Sequence, residues 1–204
     1  MTADGAVAIM RSPLGATSSL RHVAVRGEGV EVAEIPFRAQ VTVRLDPTPG
    51  AMAALAARHG IGLPMEPNRV AVVTPAGLRA LWLGPDEWLI VNDDVAMAPA
   101  DVEALVAGVV RPFGGSVVDV SAHRTQLELT GSGARNVLAA GCSVDLHPRV
   151  FAVGSCAQTL LARVDVIVER RPDDSFRVLV RTSFAGYLVD WLRDAMASDA
   201  GGGS

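Results

Sequence analysis

The 204-residue, 21.3 kDa chain suffices for one domain or two small ones and needs no disulfide or metal staple to bury a core. Half of it is hydrophobic and 20% is charged, which excludes global disorder. The net charge is -4, and all 18 basic residues are scattered arginines, which speaks against a nucleic-acid partner. A mean hydropathy of +0.31 calls for a large core or a surface covered by a partner.

The first 29 residues are weakly patterned and read as an arm that orders only where something holds it. Met1 to Met10 contains Asp4 and no basic residue, unlike an export signal. Order begins near Val30. Gln40 to Leu45 alternates as a half-buried strand. Asp46-Pro47-Thr48-Pro49-Gly50 is a breaker and helix start, Ala51 to His59 is helical, and Gly60 stops it. Arg69 to Thr74 is a strand, and Leu78 to Val91 is a hairpin turning at Gly84-Pro85-Asp86-Glu87. Pro99 to Val110 is a second helix, with Pro99 and Asp101 in its first turn.

The second half repeats that order. Ser116 to Ser121 and Arg124 to Thr130 are strands, and Ala134 to Ala140 is a short helix. Ala157 to Leu161, Val164 to Glu169 and Phe176 to Arg181 are strands. Phe184 to Ala197 is a closing helix with Phe184, Leu188, Trp191, Leu192 and Ala195 at helical spacing, so Phe184, Leu188 and Trp191 are expected to anchor it. Arg38-x-Gln40-Val41-x-Val43 also parallels Arg124-x-Gln126-Leu127-x-Leu129. The fold class is therefore α+β: one domain over 30–198, built from strand-helix-strand-strand-strand-helix halves at 30–113 and 114–198 with largely antiparallel sheets sharing one core. Residues 201–204, GGGS, have the composition of a linker scar.

Asp119, Ser121 and His123 supply the residue types of a hydrolytic triad, but neighbours on one strand face stand parallel, about 7 Å apart per step, and do not converge. Cys142, His147, Cys156 and His123 are zinc-ligand types without the close pairs of a structural site, so buried thiols in a reducing compartment are expected. No Gly-rich phosphate loop is present. The charge-free run Val150 to Ala162 is shorter than the ~20 apolar residues of a membrane helix. Trp82, Trp88 and Trp191 mark either core or an interface. Arg124 and Arg181 are the candidate interface arginines.

Four motifs in order carry a family resemblance: Leu81-Trp82-Leu83-Gly84-Pro85-Asp86-Glu87-Trp88-Leu89, Asp119-Val120-Ser121-x-x-Arg124-Thr125, Cys156-Ala157-Gln158-Thr159, and Val180-Arg181-x-Ser183-Phe184-Ala185-x-Tyr187-Leu188. Together they resemble the gamma-subunit family of heterotetrameric sarcosine oxidases. The resemblance implies a bacterial cytoplasmic complex with alpha, beta and delta subunits. That complex oxidatively demethylates sarcosine to glycine with hydrogen peroxide, and the one-carbon unit leaves as formaldehyde or is captured by tetrahydrofolate. FAD, FMN and NAD are implied on the larger subunits and zinc with the smallest. This chain is implied to be a structural, non-catalytic partner that binds none of them.

Asp119-Val120-Ser121, Leu127 to Gly131, Val144-Asp145, Gly154 and Thr159 to Leu161 are also similar to the folate-binding domain of glycine-cleavage aminomethyltransferases. Asp145 matches that family's folate-contacting Asp and is the candidate folate residue. The chain is shorter than those enzymes, so the implied pocket is incomplete. The alternatives are a folate-binding module, or the equivalent subunit of an oxidase or dehydrogenase for another N-methyl amine.

Overall fold

The computed structural model describes residues 12–15, 29–35, 37–73, 77–94 and 97–199. Most of the 1–29 arm and all of 201–204 lie outside the described residues. The described piece of the arm is held: the Ser12 hydroxyl donates to the Glu34 carboxylate, and Leu14 is buried.

In chain order the elements are β1 (Glu31–Ile35), β2 (Gln40–Arg44), α1 (Pro49–His59), β3 (Val70–Val73), β4 (Leu78–Gly84), β5 (Glu87–Asn92), α2 (Pro99–Val110), β6 (Ser116–Asp119), β7 (Arg124–Thr130), α3 (Ala134–Ala139), β8 (Cys156–Leu161), β9 (Val164–Arg170), β10 (Phe176–Arg181) and α4 (Ala185–Asp199). Local chemistry sets the boundaries. Thr48 caps α1 by accepting the Ala51 amide at 3.3 Å, and Gly60 ends it at φ 63°. Pro99 opens α2, where a missing N–H does no harm.

The strands form two five-stranded antiparallel sheets, ordered β3-β4-β5-β2-β6 and β1-β7-β10-β9-β8. The two orders correspond strand for strand, and Gln40 on β2 occupies the place of Gln126 on β7. Each half also lends its leading strand to the other: β1 pairs with β7, and β6 pairs with β2. The exit from β7 runs close to the entry of β1 at Gly131, where φ is 98° and a Cβ would lie 1.9 Å from the Gly29 carbonyl oxygen.

The layers run helices, sheet, sheet, helices. α1 and α2 cover the first sheet with Leu55, Val102 and Val106 packed against Val41, Trp88 and Ile90. α3 and α4 cover the second with Leu138, Leu188 and Leu192 among Leu127, Val178 and Val180. Between the sheets lies a smaller cluster of Leu81, Leu89, Val91, Cys156, Ile167 and Leu179. The expected single core is therefore three. With both faces of the central strands covered, β5 reads as a continuous apolar run from Trp88 to Val91, and β10 is buried from Phe176 to Val180 with Arg177 among them.

Three local expectations change. β1 was not predicted as an element; as an edge strand it has only Val32 fully buried, too little pattern to register. β6 ends at Asp119, because 121–123 form a turn. A 3-10 turn, Thr182–Phe184, precedes α4 and leaves Phe184 45% exposed, so the anchoring stripe is Ala185, Leu188, Val189, Leu192 and Met196, with Trp191 partly buried beside it.

Candidate functional site

Side-chain alternation aims Arg124, Gln126 and Glu128 of β7 between the sheets, since Leu127 and Leu129 face the helices. The same parity turns Arg177, Leu179 and Arg181 of β10 inward, and Asp165, Ile167 and Glu169 of β9. The inter-sheet layer thus has an apolar middle and two charged ends.

At one end the charges are closed into a network. Arg79 of β4 is 2% exposed and binds Glu169 of β9, also 2% exposed. It chelates Asp93 as well, through Nε at 2.7 Å and Nη2 at 3.1 Å. Arg177 bridges Asp93 at 2.7 Å and Glu128 at 3.0 Å, and Arg171 reaches Glu169 at 3.1 Å. Burial acts to lower the Arg79 pKa, but Glu169 and Asp93 outweigh it and raise it. Burial likewise acts to raise Asp93, but Arg79, with Arg177 and Arg171, holds its carboxyl below the usual range. Every carboxylate here is engaged by arginine, an arrangement suited to locking the sheets in register rather than to proton transfer.

The other end is open. A cleft of about 320 Å³ is lined by Arg124, Gln158, Thr159, Leu160, Asp165, Val166, Ile167 and Arg181. Arg124 and Arg181 are direct partners across β7 and β10. Glu87, the acid whose charge reaches Arg124, is bound by Arg44 at 2.7 Å. Among the described residues no ion pair is made by Arg124 or Arg181. Burial and the neighbouring Arg181 pull Arg124 below its usual value, and slight burial with the two arginines pulls His123 down. Gln158 is steered by its amide, which donates to the Leu83 carbonyl at 3.0 Å.

The triad types are not assembled. Ser121 Oγ donates to Asp119 Oδ1 at 2.5 Å within a turn, while the Ser121 amide donates to the same oxygen at 2.8 Å. Ser121 Oγ also accepts the Gln40 amide at 2.9 Å, which makes the turn a clamp on β2. His123 contributes backbone bonds, its N–H to Val120 and its carbonyl to Thr182.

The cysteines are both free. Cys156 is fully buried between the sheets, and burial with nearby Glu169 pushes its thiol up to about 12. Cys142 pairs by backbone with Leu161, and His147 is exposed on a loop. Among the described residues no three His, Cys, Asp or Glu side chains are placed to hold a metal. Asp145 is exposed on the loop after α3, its carboxylate accepting the His147 amide at 2.8 Å, and it does not line the cleft. Trp88 is fully buried, donating Nε1–H to the Pro64 carbonyl at 2.8 Å, while Trp82 and Trp191 pack against the two main cores.

Sequence reasoning found the two arginines but not their adjacency, and it missed the ion network. The available signal was charge at the inward positions of a strand whose neighbouring residues are apolar, as at Asp165 and Glu169 in Val-Asp-Val-Ile-Val-Glu.

Two back-to-back antiparallel sheets, each backed by two helices, define the aminomethyltransferase fold. The chain superposes on the glycine cleavage system aminomethyltransferase T from Bartonella henselae with TM-score 0.58 at 20% identity, over 90% of this chain and 50% of that one. Residues 44–198 match the "Sarcosine oxidase, gamma subunit family", and the chain belongs to that family. Its relatives include the sarcosine oxidase subunit gamma of Corynebacterium sp. strain P-1, 43% identical over 84% of this chain and 82% of the relative. The counterpart from Corynebacterium sp. strain U-96 is 39% identical over 88% and 89%. A chain of the heterotetrameric sarcosine oxidase from Corynebacterium sp. U-96, solved with pyrrole 2-carboxylate, matches with TM-score 0.79 and 37% identity over 94% of this chain and 97% of that one.

Proposed function

We propose that this chain is a structural, non-catalytic subunit of a heterotetrameric sarcosine oxidase, assembled with alpha, beta and delta subunits in the cytoplasm. The observation that carries the reading is correspondence over 94% of this chain and 97% of its counterpart in a heterotetrameric sarcosine oxidase. No helix among the described residues is long and apolar enough to cross a membrane.

The complex oxidises sarcosine to glycine with hydrogen peroxide, and the one-carbon unit passes to tetrahydrofolate or leaves as formaldehyde. FAD, FMN, NAD and zinc belong to the partner subunits. In support of that placement, the sequence has no Gly-rich phosphate loop. What the chain itself contributes is a rigid double-sheet body, locked at one end by Arg79, Glu169 and Asp93, and presenting a cationic cleft at the other.

The test is mild affinity purification of the tagged chain from its source, with mass spectrometry of co-purifying chains and a visible spectrum. Three partner chains with a flavin band are expected. A colourless chain without partners, or an oxidase whose activity and stability are unchanged by omitting this chain, overturns the reading.

A further inference from the structure

The cleft between Arg124 and Arg181 holds a charge imbalance that the described residues do not resolve. Directly opposed like charges destabilise a strand pair, and these two guanidinium groups are opposed across β7 and β10. Elsewhere in the inter-sheet layer each inward arginine has a carboxylate: Arg79 has Glu169 and Asp93, and Arg177 has Asp93 and Glu128. At the open end Glu87 is already taken by Arg44, and Asp165 lines the cleft without an ion pair to either arginine. Among the described residues no carboxylate pairs with either arginine.

The surroundings suit a protein loop better than a small free acid. Small-molecule sites bury most of their ligand, whereas this cleft has Leu160 at its wall, 46% exposed. The chain continues from Arg181 into Phe184 and Tyr187, 45% and 43% exposed. Their turn is fixed to the His123 segment by the Thr182 amide donating to the His123 carbonyl at 3.1 Å. Arginine beside exposed aromatic side chains is the composition enriched at protein interfaces, and the weakly hydrated guanidinium tolerates being covered.

We propose that the Arg124–Arg181 cleft receives an acidic side chain from a partner subunit, on a loop whose apolar flanks rest on Leu160 and Phe184, and that this contact docks the chain in its complex. The inference rests on the reading of the chain as a subunit. It adds the place and the chemistry of one contact.

The test compares the assembled complex carrying the unaltered chain with complexes carrying Arg124→Gln/Arg181→Gln or Arg124→Lys/Arg181→Lys. Release of this chain is followed by native mass spectrometry across a sodium chloride titration. The Gln pair is expected to raise the dissociation constant about 30-fold or more and to flatten its salt dependence, since a covered charge partner is lost. The Lys pair keeps the charge without the bidentate fork and is expected to fall between. Circular dichroism melts check folding; if the Gln pair fails to fold, the Lys pair decides. A Gln pair that folds and is released with the unaltered midpoint and slope overturns the docking contact and leaves the subunit reading standing. An unaltered chain that enters no complex overturns both.

Discussion

Arg79 on one sheet and Glu169 on the other, 90 residues apart in sequence, meet with both side chains 2% exposed. A buried charge deprived of its partner is costly, while a well-packed apolar replacement of both is often neutral. Glu169→Ala is expected to lower stability by about 3 kcal/mol, the lower end for breaking a buried pair, because Asp93 still holds Arg79. Arg79→Met/Glu169→Leu is expected to recover most of that loss, though it leaves Asp93 to Arg177 and Arg171. Urea unfolding midpoints of the purified chains check both.

Asp93 gives the fold an acid limit. Arginine neighbours hold its folded pKa below the usual 3.8. A depressed carboxyl contributes stability that is fully present above 3.8 and is lost as pH falls from there through the folded value. Asp93→Asn is expected to lower stability at neutral pH and to flatten the acid limb of a stability profile measured between pH 2 and 6.

Cys156 is expected to resist thiol reagents in the folded chain. Its thiol is fully buried and raised to about 12, so thiolate is scarce at any ordinary pH. A raised thiol adds stability below the unfolded value of 9.0 that is lost as pH climbs through about 12. Iodoacetamide labelling at pH 8, read by peptide mass spectrometry, is expected to mark Cys142 first and Cys156 only in denaturant.

Leu188 and Phe184 separate folding from docking. Leu188 is fully buried in the α4 stripe, and Leu188→Ala is expected to cost about 2–5 kcal/mol. Phe184 is 45% exposed, and Phe184→Ala is expected to change stability by less than about 0.5 kcal/mol. Phe184→Ala is expected instead to ease release of the chain from its complex, read in the same salt titration as the arginine variants.

Asp145 is expected to be silent toward folate. Its carboxylate serves the His147 amide at 2.8 Å on an exposed loop. Calorimetry of the purified chain with tetrahydrofolate is expected to give no binding heat, and Asp145→Asn no change. A saturable heat abolished in Asp145→Asn reverses this assignment.

The α+β class and, among the described residues, the four helices and nine of the ten strands were legible from residue patterns alone, within a residue or two at most boundaries. Thr48, Gly60 and Pro99 mark helix ends because capping and φ preference are local properties, and the hairpin from Leu78 to Val91 follows from its turn. The parallel between Gln40 and Gln126 was visible too, since equivalent strands repeat the same polar step before an apolar alternation. Local pattern does not say which sheet a strand joins. β1 and β6 cross into the opposite sheets because their pairing is fixed by long-range packing. Nor does it say which face of a strand such as β5 meets helices, since both faces are apolar. So the sequence by itself determined the elements, their order and the arginines worth watching. Only the tertiary structure decided that Arg79 finds Glu169 while Arg124 finds Arg181, because opposing charges and like charges alike are brought together by sheet register over long stretches of chain.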